Sequence, residues 1–332
     1  MRIGIGVGAG AGDENSISSM IKQVQRAEES GFDSVWVANI FGVDAITFLA
    51  MAGRETSKIE LATGVVPTYP RHPTVMAQQA LTAAAASENR FTLGIGLSHK
   101  VVIENMMGLD YSKPIRHTRE YLSVLIPLLE GEQVRFRGEE YRVAAQVEVG
   151  GAKRPPVLVA ALGPQMLKLA GKMADGTVTW MGGPKYLAET AVPTIRAAAA
   201  EAGRPAPRIA AGFPIAVTNE VESARATASK VFAVYGTLPS YRAVLDIEGA
   251  ADASSVAILG SAAEVETQVR ALAAAGVTDF NASAYAIEGD PNAISRTYEL
   301  LAGLAKAGFR PSAKWFVRQH PDEPFTDTRR SG

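Results

Sequence analysis

Four histidines, His72, His99, His117 and His320, are the side chains best suited to proton transfer near neutral pH, and no cysteine accompanies them. None of the four stands at a metal-ligand spacing from another histidine or from an acidic pair, so no metal site is expected. The lack of cysteine removes disulfides, thiolate zinc sites, iron–sulfur clusters and cysteine nucleophiles together. No Gly-x-Ser-x-Gly elbow is present, which argues against serine hydrolase chemistry. His99 follows the strand-like run Phe91 to Leu97 directly, where a general acid would be useful, although a loop histidine serves equally well as a hydrogen-bonded structural residue.

Glycines mark the other chemically suggestive places. Gly4-x-Gly6-x-x-Ala9 and Gly6-x-Gly8-x-x-Ala11 fit a relaxed dinucleotide fingerprint, but that fingerprint requires an acid at the end of the second strand, where this chain has Asn39. A glycine-rich first strand without a nucleotide is therefore the better reading. Ala161-Leu162-Gly163-Pro164-Gln165 is a stronger phosphate candidate. It opens a helical pattern whose free N–H groups and dipole would face an anion, with Lys168 and Lys172 one and two turns on. An ordinary strand–helix turn is the competing reading.

Stepping from these residues to what must hold them, short β-type runs alternate with helical patterns almost throughout. Strands are expected at 2–7, 34–37, 59–66, 91–97, 157–161, 176–180, 209–217 and 277–284. Helical stripes lie between them: Ile17, Met20, Ile21, Val24 and Ala27 before Gly31; 43–56; a helix opening near Pro73; and Tyr121, Val124, Leu125, Leu128 and Leu129, with a kink expected at Pro127. Further helices are expected over 163–174 and with an interruption at Pro193. Two more open at capping boxes, Asn219 with Glu222 and Ser261 with Glu264, and a last one carries Ile294, Tyr298, Leu301 and Ala305 inward. Eight strand–helix units most economically close into an α/β fold, a (β/α)8 TIM barrel, with a doubly wound open sheet as the alternative. One domain is expected over residues 1–310, with insertions at about 132–150 (a hairpin) and 237–258, and an irregular tail over 311–332.

In such a barrel ligands bind where strands end, which selects Gly8, Asn39, Gly64-Val65-Val66, Gly96-Leu97-Ser98-His99, Leu162-Gly163 and Trp180 to Gly183. Apolar residues make up 47% and charged residues 20% of the 332, as in a soluble globular protein with a large core. Lys and Arg number 33 against 34 Asp and Glu, a balance that attracts neither nucleic acid nor an anionic membrane. No apolar run approaches the length of about 18 residues needed to span a bilayer, and Met1 to Ile5 enters a strand without a signal-like region, so a cytoplasmic location is expected.

Three stretches carry a family resemblance: Ala62 to Pro73 (ATGVVPTYPRHP), Phe91 to Gly96 (FTLGIG) and Ala161 to Gly171 (ALGPQMLKLAG). In this order they resemble the luciferase-like monooxygenase superfamily, closest to its coenzyme F420-dependent branch, which includes methylene-tetrahydromethanopterin reductase. The resemblance runs from residue 1 to about 308. It implies a flat cofactor, coenzyme F420 with FMN as the alternative, resting on Gly64, Val65 and Val66, where the family often has a non-prolyl cis peptide. It further implies contacts from Asn39, Gly96 and Ser98, and a phosphate loop at Leu162, Gly163, Pro164 and Gln165. Several relatives carry an acid and a catalytic histidine where Asn39 and Ile40 stand, and some carry a glutamate acid near His99. Without that histidine the base of the alcohol- and sugar-oxidising relatives is missing. The expected activity is therefore reduction of a C=C, C=N or C=O small-molecule substrate, with His99 or Tyr69 supplying a proton. The competing readings are an FMN-dependent monooxygenase, a non-catalytic flavin-binding protein and, more remotely, an NAD-dependent dehydrogenase. A homodimer formed through helices two and three is carried over from the resemblance.

Overall fold

The computed structural model describes residues 1–8 and 15–308. The loop after the first strand, with Ala9 and Ala11 of the glycine-rich fingerprint, and the tail expected to be irregular lie outside the described residues.

Eight strands form the barrel wall: β1 (Arg2–Gly6), β2 (Ser34–Val37), β3 (Glu60–Thr63), β4 (Phe91–Gly96), β5 (Val157–Ala160), β6 (Gly176–Trp180), β7 (Arg208–Val217) and β8 (Asp279–Ala284). All neighbouring pairs run parallel, and β8 returns to β1 with Arg2 opposite Asp279 and Gly4 opposite Asn281. Closure settles the choice between barrel and open sheet, and it leaves these eight strands without a free edge. The third strand is shorter than expected: it stops at Thr63, and Val66–Pro67 resumes the pairing against Ile95 and Gly96. The two residues between, Gly64 and Val65, are joined by a cis peptide.

Alternation along each strand sorts side chains to the two faces of the wall. In β1, Ile3 and Ile5 join Met20, Val24 and Ala27 of helix α1 (Ile17–Ser30) in the layer outside the wall. Inside, Trp36, Ala62, Leu158, Val178 and Ala210 form a separate cluster at mid-height. At the N-terminal end the interior is charged. Arg208 reaches Glu60 at 2.8 Å and Asp279 at 2.7 Å, and Arg2 reaches the same two carboxylates at 2.7 and 3.3 Å. Thr92 donates to Glu60 as well, at 2.9 Å. Burial works against the Arg208 charge, but Asp279 and Glu60 beside it hold the guanidinium protonated.

Local signals explain most helix ends. Ser16 caps α1 and Gly31, at φ 85°, ends it; Asp44 caps α2 (Ala45–Arg54); α3 (Pro73–Ala86) opens on a proline under a His72 cap. In α4 (Pro114–Leu129), Pro127 falls in the final turn, and the helix stops two residues later. Helix α5 (Pro164–Met173) follows β5, and α6 (Val192–Glu201) follows a π-helical segment, Leu187–Ala191, so the interruption near Pro193 is present. The Ser261–Glu264 capping box opens the helix Ala262–Ala274 as expected. The Asn219–Glu222 box does not form. Helix α7 (Val221–Val231) starts after Glu220, because Thr218 organises this turn: it accepts from the Glu220 N–H at 3.0 Å and donates to Asp290 at 2.6 Å.

Of the two insertions, the first is the expected hairpin, Val134–Arg137 against Arg142–Ala145. The second is largely helical: α8 (Ala233–Thr237), α9 (Pro239–Glu248) and a 3-10 turn, Ala253–Val256.

Removing one member of the charged cluster should leave a buried carboxylate short of a partner. Arg208→Met is expected to lower stability by about 2–4 kcal/mol in urea or thermal denaturation. Glu266→Ala, at the exposed Arg270 pair, should cost less than about 0.5 kcal/mol.

Candidate active site

The C-terminal mouth of the barrel is floored by small residues. Strand alternation and the closed register turn Gly6, Gly64, Gly96, Ala160 and Gly212 inward at this level, between the rings of Trp36 and Trp180. A Cβ on Gly96 would stand 2.7 Å from Cγ2 of Val65 and 3.0 Å from Cβ of Ala160, and one on Gly212 would stand 2.7 Å from the Trp180 ring. At Gly94 a Cβ would meet the Thr63 carbonyl oxygen at 2.0 Å, so the backbones of β3 and β4 approach in a way only glycine permits there. The side chain of Val65 lies over both β4 glycines. The Gly64 N–H donates to the Val37 carbonyl at 2.8 Å, and the Thr68 N–H donates to the Gly96 carbonyl at 2.9 Å, which ties the whole segment to the strands beside it. Ser98, at φ 58°, and Met181, at φ 54°, hold left-handed backbone at the ends of β4 and β6, a conformation that costs energy in non-glycine residues and gathers at functional sites.

Beside this floor lies the helix start that the sequence marks as a phosphate candidate. Helix α5 starts from Gly163 with no side-chain cap among the described residues, and Gly163, Pro164 and Gln165 are exposed. Its first-turn N–H groups are open to a ligand, with the helix dipole behind them. The Leu162 carbonyl is held from below by the Tyr186 hydroxyl at 2.6 Å. Asn39 does something more local: its amide oxygen accepts the Ala45 N–H at 3.0 Å and so braces the start of α2. Ile40 beside it is 71% exposed.

The two expected proton donors fall into different clusters. His99 stands next to the second insertion, its ring 6.0 Å from that of Tyr241. Tyr241 contacts Tyr235 at 4.8 Å, and Tyr235 and Phe232 both contact Trp180, at 6.2 and 6.0 Å. The segment α7–α9 therefore roofs one side of the mouth in aromatic rings, and the Tyr186 N–H bond to Glu248 anchors its far end. Burial lowers the His99 pKa from 6.5, so its imidazole is neutral at pH 7.

Tyr69 instead stacks on His117, with ring centroids 3.9 Å apart and planes 13° apart, and on Tyr111 at 5.2 Å. Burial, with Tyr111 and Glu140 nearby, raises its pKa, so the hydroxyl keeps its proton. His117, one of the four histidines, is the residue to which the sequence alone assigns no particular role. It lies one turn before Tyr121 on the apolar stripe of α4, a spacing that could have flagged it. Its Nε2 is 2.9 Å from Thr68 Oγ1 and its Nδ1 is 3.4 Å from the Tyr141 hydroxyl. Glu120, three residues on, accepts the N–H groups of Glu139, Glu140 and Tyr141 at 2.8–3.1 Å. The hairpin insertion is thus clamped to α4 and backs the Thr68–Tyr69 segment.

A family description, luciferase-like monooxygenase, matches residues 1–310. The chain belongs to that family. It is 30% identical over 297 residues to the 5,10-methylenetetrahydromethanopterin reductase of Archaeoglobus fulgidus, covering 86% of this chain and 85% of that one. Its fold is shared with the coenzyme F420-dependent tetrahydromethanopterin reductase of Methanopyrus kandleri (TM-score 0.77, 24% identity, covering 93% and 99% of the two chains). The fold is shared as well with the FMN-bound oxygenating constituent of 3,6-diketocamphane monooxygenase of Pseudomonas putida (TM-score 0.72, 19% identity, covering 91% and 96%). This luciferase-like protein is an oxidoreductase, in the branch that includes coenzyme F420-dependent reductases.

The His117 environment sets a pH dependence. Burial lowers the pKa of this 4%-exposed imidazole from 6.5 to about 4, so the unfolded chain takes up a proton before the native one does. Its contribution is complete above the unfolded value and is lost as the pH falls from 6.5 towards 4, on the order of 3 kcal/mol in full. Thermal melts between pH 7 and pH 4.5 should show a shallower decline in His117→Gln than in the wild type.

Proposed function

We propose that this protein binds coenzyme F420 at the barrel mouth and works as a reductase of an unsaturated C=C, C=N or C=O substrate. The observation that carries this reading is the pairing of a floor of glycines and small side chains with an uncapped helix start. A flat ring can lie on Gly64, Val65 and Val66 beside Gly96 and Ser98, while its phosphate meets the first-turn N–H groups of Gly163 and Gln165, with Pro164 between them setting the backbone. The relatives support F420 over FMN, since the family match extends to methylenetetrahydromethanopterin reductase over most of both chains.

When bound, reduced F420 supplies the hydride. The protein orients the acceptor beneath the aromatic roof, keeps water from that side, and places one proton. His99 is the better donor of the two tyrosine and histidine candidates, because Tyr69 is committed to the His117 stack. The proton held at His99 would go to the heteroatom or second carbon of the double bond, whose other carbon would take the hydride that the cofactor supplies. Ile40 in place of a histidine leaves no base for the reverse, alcohol-oxidising direction at that position. Asn39 contributes by fixing the loop that borders the ring. Helices α2 and α3 expose Met51 and Val75, at 41% and 44%, which supports a homodimer through this face.

Titration with F420 and separately with FMN, followed by cofactor fluorescence, is the direct test. Tight binding of F420 with weaker FMN binding is expected. Tight binding of FMN alone would move the protein to oxygen-using chemistry or to a flavin carrier, and binding of neither would end the reading. With an F420 substrate in hand, His99→Ala should lower kcat/KM by roughly 100-fold or more. In the wild type kcat/KM should fall as the pH rises through a value below 6.5, because the imidazolium is the donating form, and the variant should lose that dependence.

A further inference from the structure

Strand β8 reads Asp279-Phe280-Asn281-Ala282-Ser283, and its alternation sends the polar residues into the barrel. Asp279 is consumed by the charged cluster at the base. Asn281 is not. Its register partners on both sides are glycines, Gly4 in β1 and Gly212 in β7, so neither neighbouring strand offers a side chain to meet its carboxamide. Its amide nitrogen would lie 3.4 Å from a Cβ on Gly212 and 3.9 Å from one on Gly64, and its amide oxygen 3.7 Å from one on Gly6. The group therefore spans the centre of the glycine floor, next to the Gly64–Val65 segment. The residue is partly accessible from the mouth, yet its amide oxygen is buried and has no hydrogen-bond partner among the described residues. If the amide were turned over, the buried unpaired atom would be the nitrogen, so the deficit persists in either orientation.

A buried polar atom without a partner is destabilising unless a ligand completes it. We infer that Asn281 is a ligand-binding residue that reads the imide edge of the flat ring, the –CO–NH–CO– side of its pyrimidine portion. A carboxamide presents one acceptor and one donor side by side, the complement of an imide N–H next to a carbonyl. Trp36 and Trp180 fill the space beside the two flanking glycines, so the edge comes to the partly accessible Asn281 from the mouth. This rests on the ring lying at the mouth, as proposed above, and it assigns the ring's polar edge to the β8 side of the floor.

The test compares wild type with Asn281→Leu, close in volume and apolar, and Asn281→Ala. F420 and an F420 analogue methylated at the imide nitrogen are titrated by cofactor fluorescence well below each variant's melting temperature, so that loss of fold is not read as loss of affinity. The expected result is a Kd for F420 raised about 10- to 100-fold in both variants. The methylated analogue, unable to donate, should bind all three proteins with similar affinity, and the ligand-free variants should melt no lower than the wild type. An unchanged F420 Kd in either variant overturns the inference while leaving the cofactor reading intact. An equal loss for F420 and its methylated analogue also overturns it, since that marks a general distortion of the floor. If wild type binds neither F420 nor FMN, the proposed function fails, and the inference with it.

Discussion

Closure of the sheet is the constraint on which the rest of the molecule depends. Pairing β8 with β1 fixes which residues share a height inside the barrel, and the charged cluster at the base locks that register in place. Asp279 stands opposite Arg2 on one side and Ala210 on the other, and it bonds to Arg208 of the neighbouring strand. A slip of one residue in β8 would turn Phe280 inward and push Asp279 into the apolar layer between wall and helices, which is strongly unfavourable. The cost of burying these charges is met by their mutual bonds at the base, far from the mouth, so the mouth can be left open and under-filled.

Three levels of the interior therefore have different compositions for different reasons. The base is ionic and specifies register. The middle, around Ala62, Leu158, Val178 and Ala210, is apolar and packed. The top is lined by glycines and small side chains, with two tryptophans, Val65 and Asn281 among them. That gradient moves from stability to ligand capacity along one axis, as is general for barrels of this type.

Much of this was legible in the sequence, and the exceptions have physical causes. All eight strands were visible because short runs of apolar and small residues stand between helical periods. The cis peptide at Gly64–Val65 was implied by the family resemblance and is present, whereas the early stop of the strand at Thr63 depends on how Gly94 receives the Thr63 backbone, a contact between distant residues. Asn219 and Glu222 have the right types for a capping box but lose to Thr218, whose partner Asp290 lies on another loop. Several glycines that the sequence puts at strand ends, Gly64 and Gly96 among them, gather at the mouth. Grouping was harder: His99 and Tyr69 look equivalent in one dimension, while their neighbours Tyr241 and His117 come from separate insertions and helices. Asn281 was marked by the polar alternation of β8, a signal that acquires meaning only once the inside of the wall is known.

The aromatic roof illustrates a consequence of how the chain is routed. Residues 221–256 leave the wall after β7 and return at Ile258–Gly260, which pairs with β7 itself. The cover is thus one continuous cassette whose two ends are attached at neighbouring points of the same strand. Its sequence can drift, or be exchanged for another of different length, without disturbing the register that closes the sheet. The cover and the barrel it rests on are in this way separable parts, much as a tool changes its head and keeps its handle.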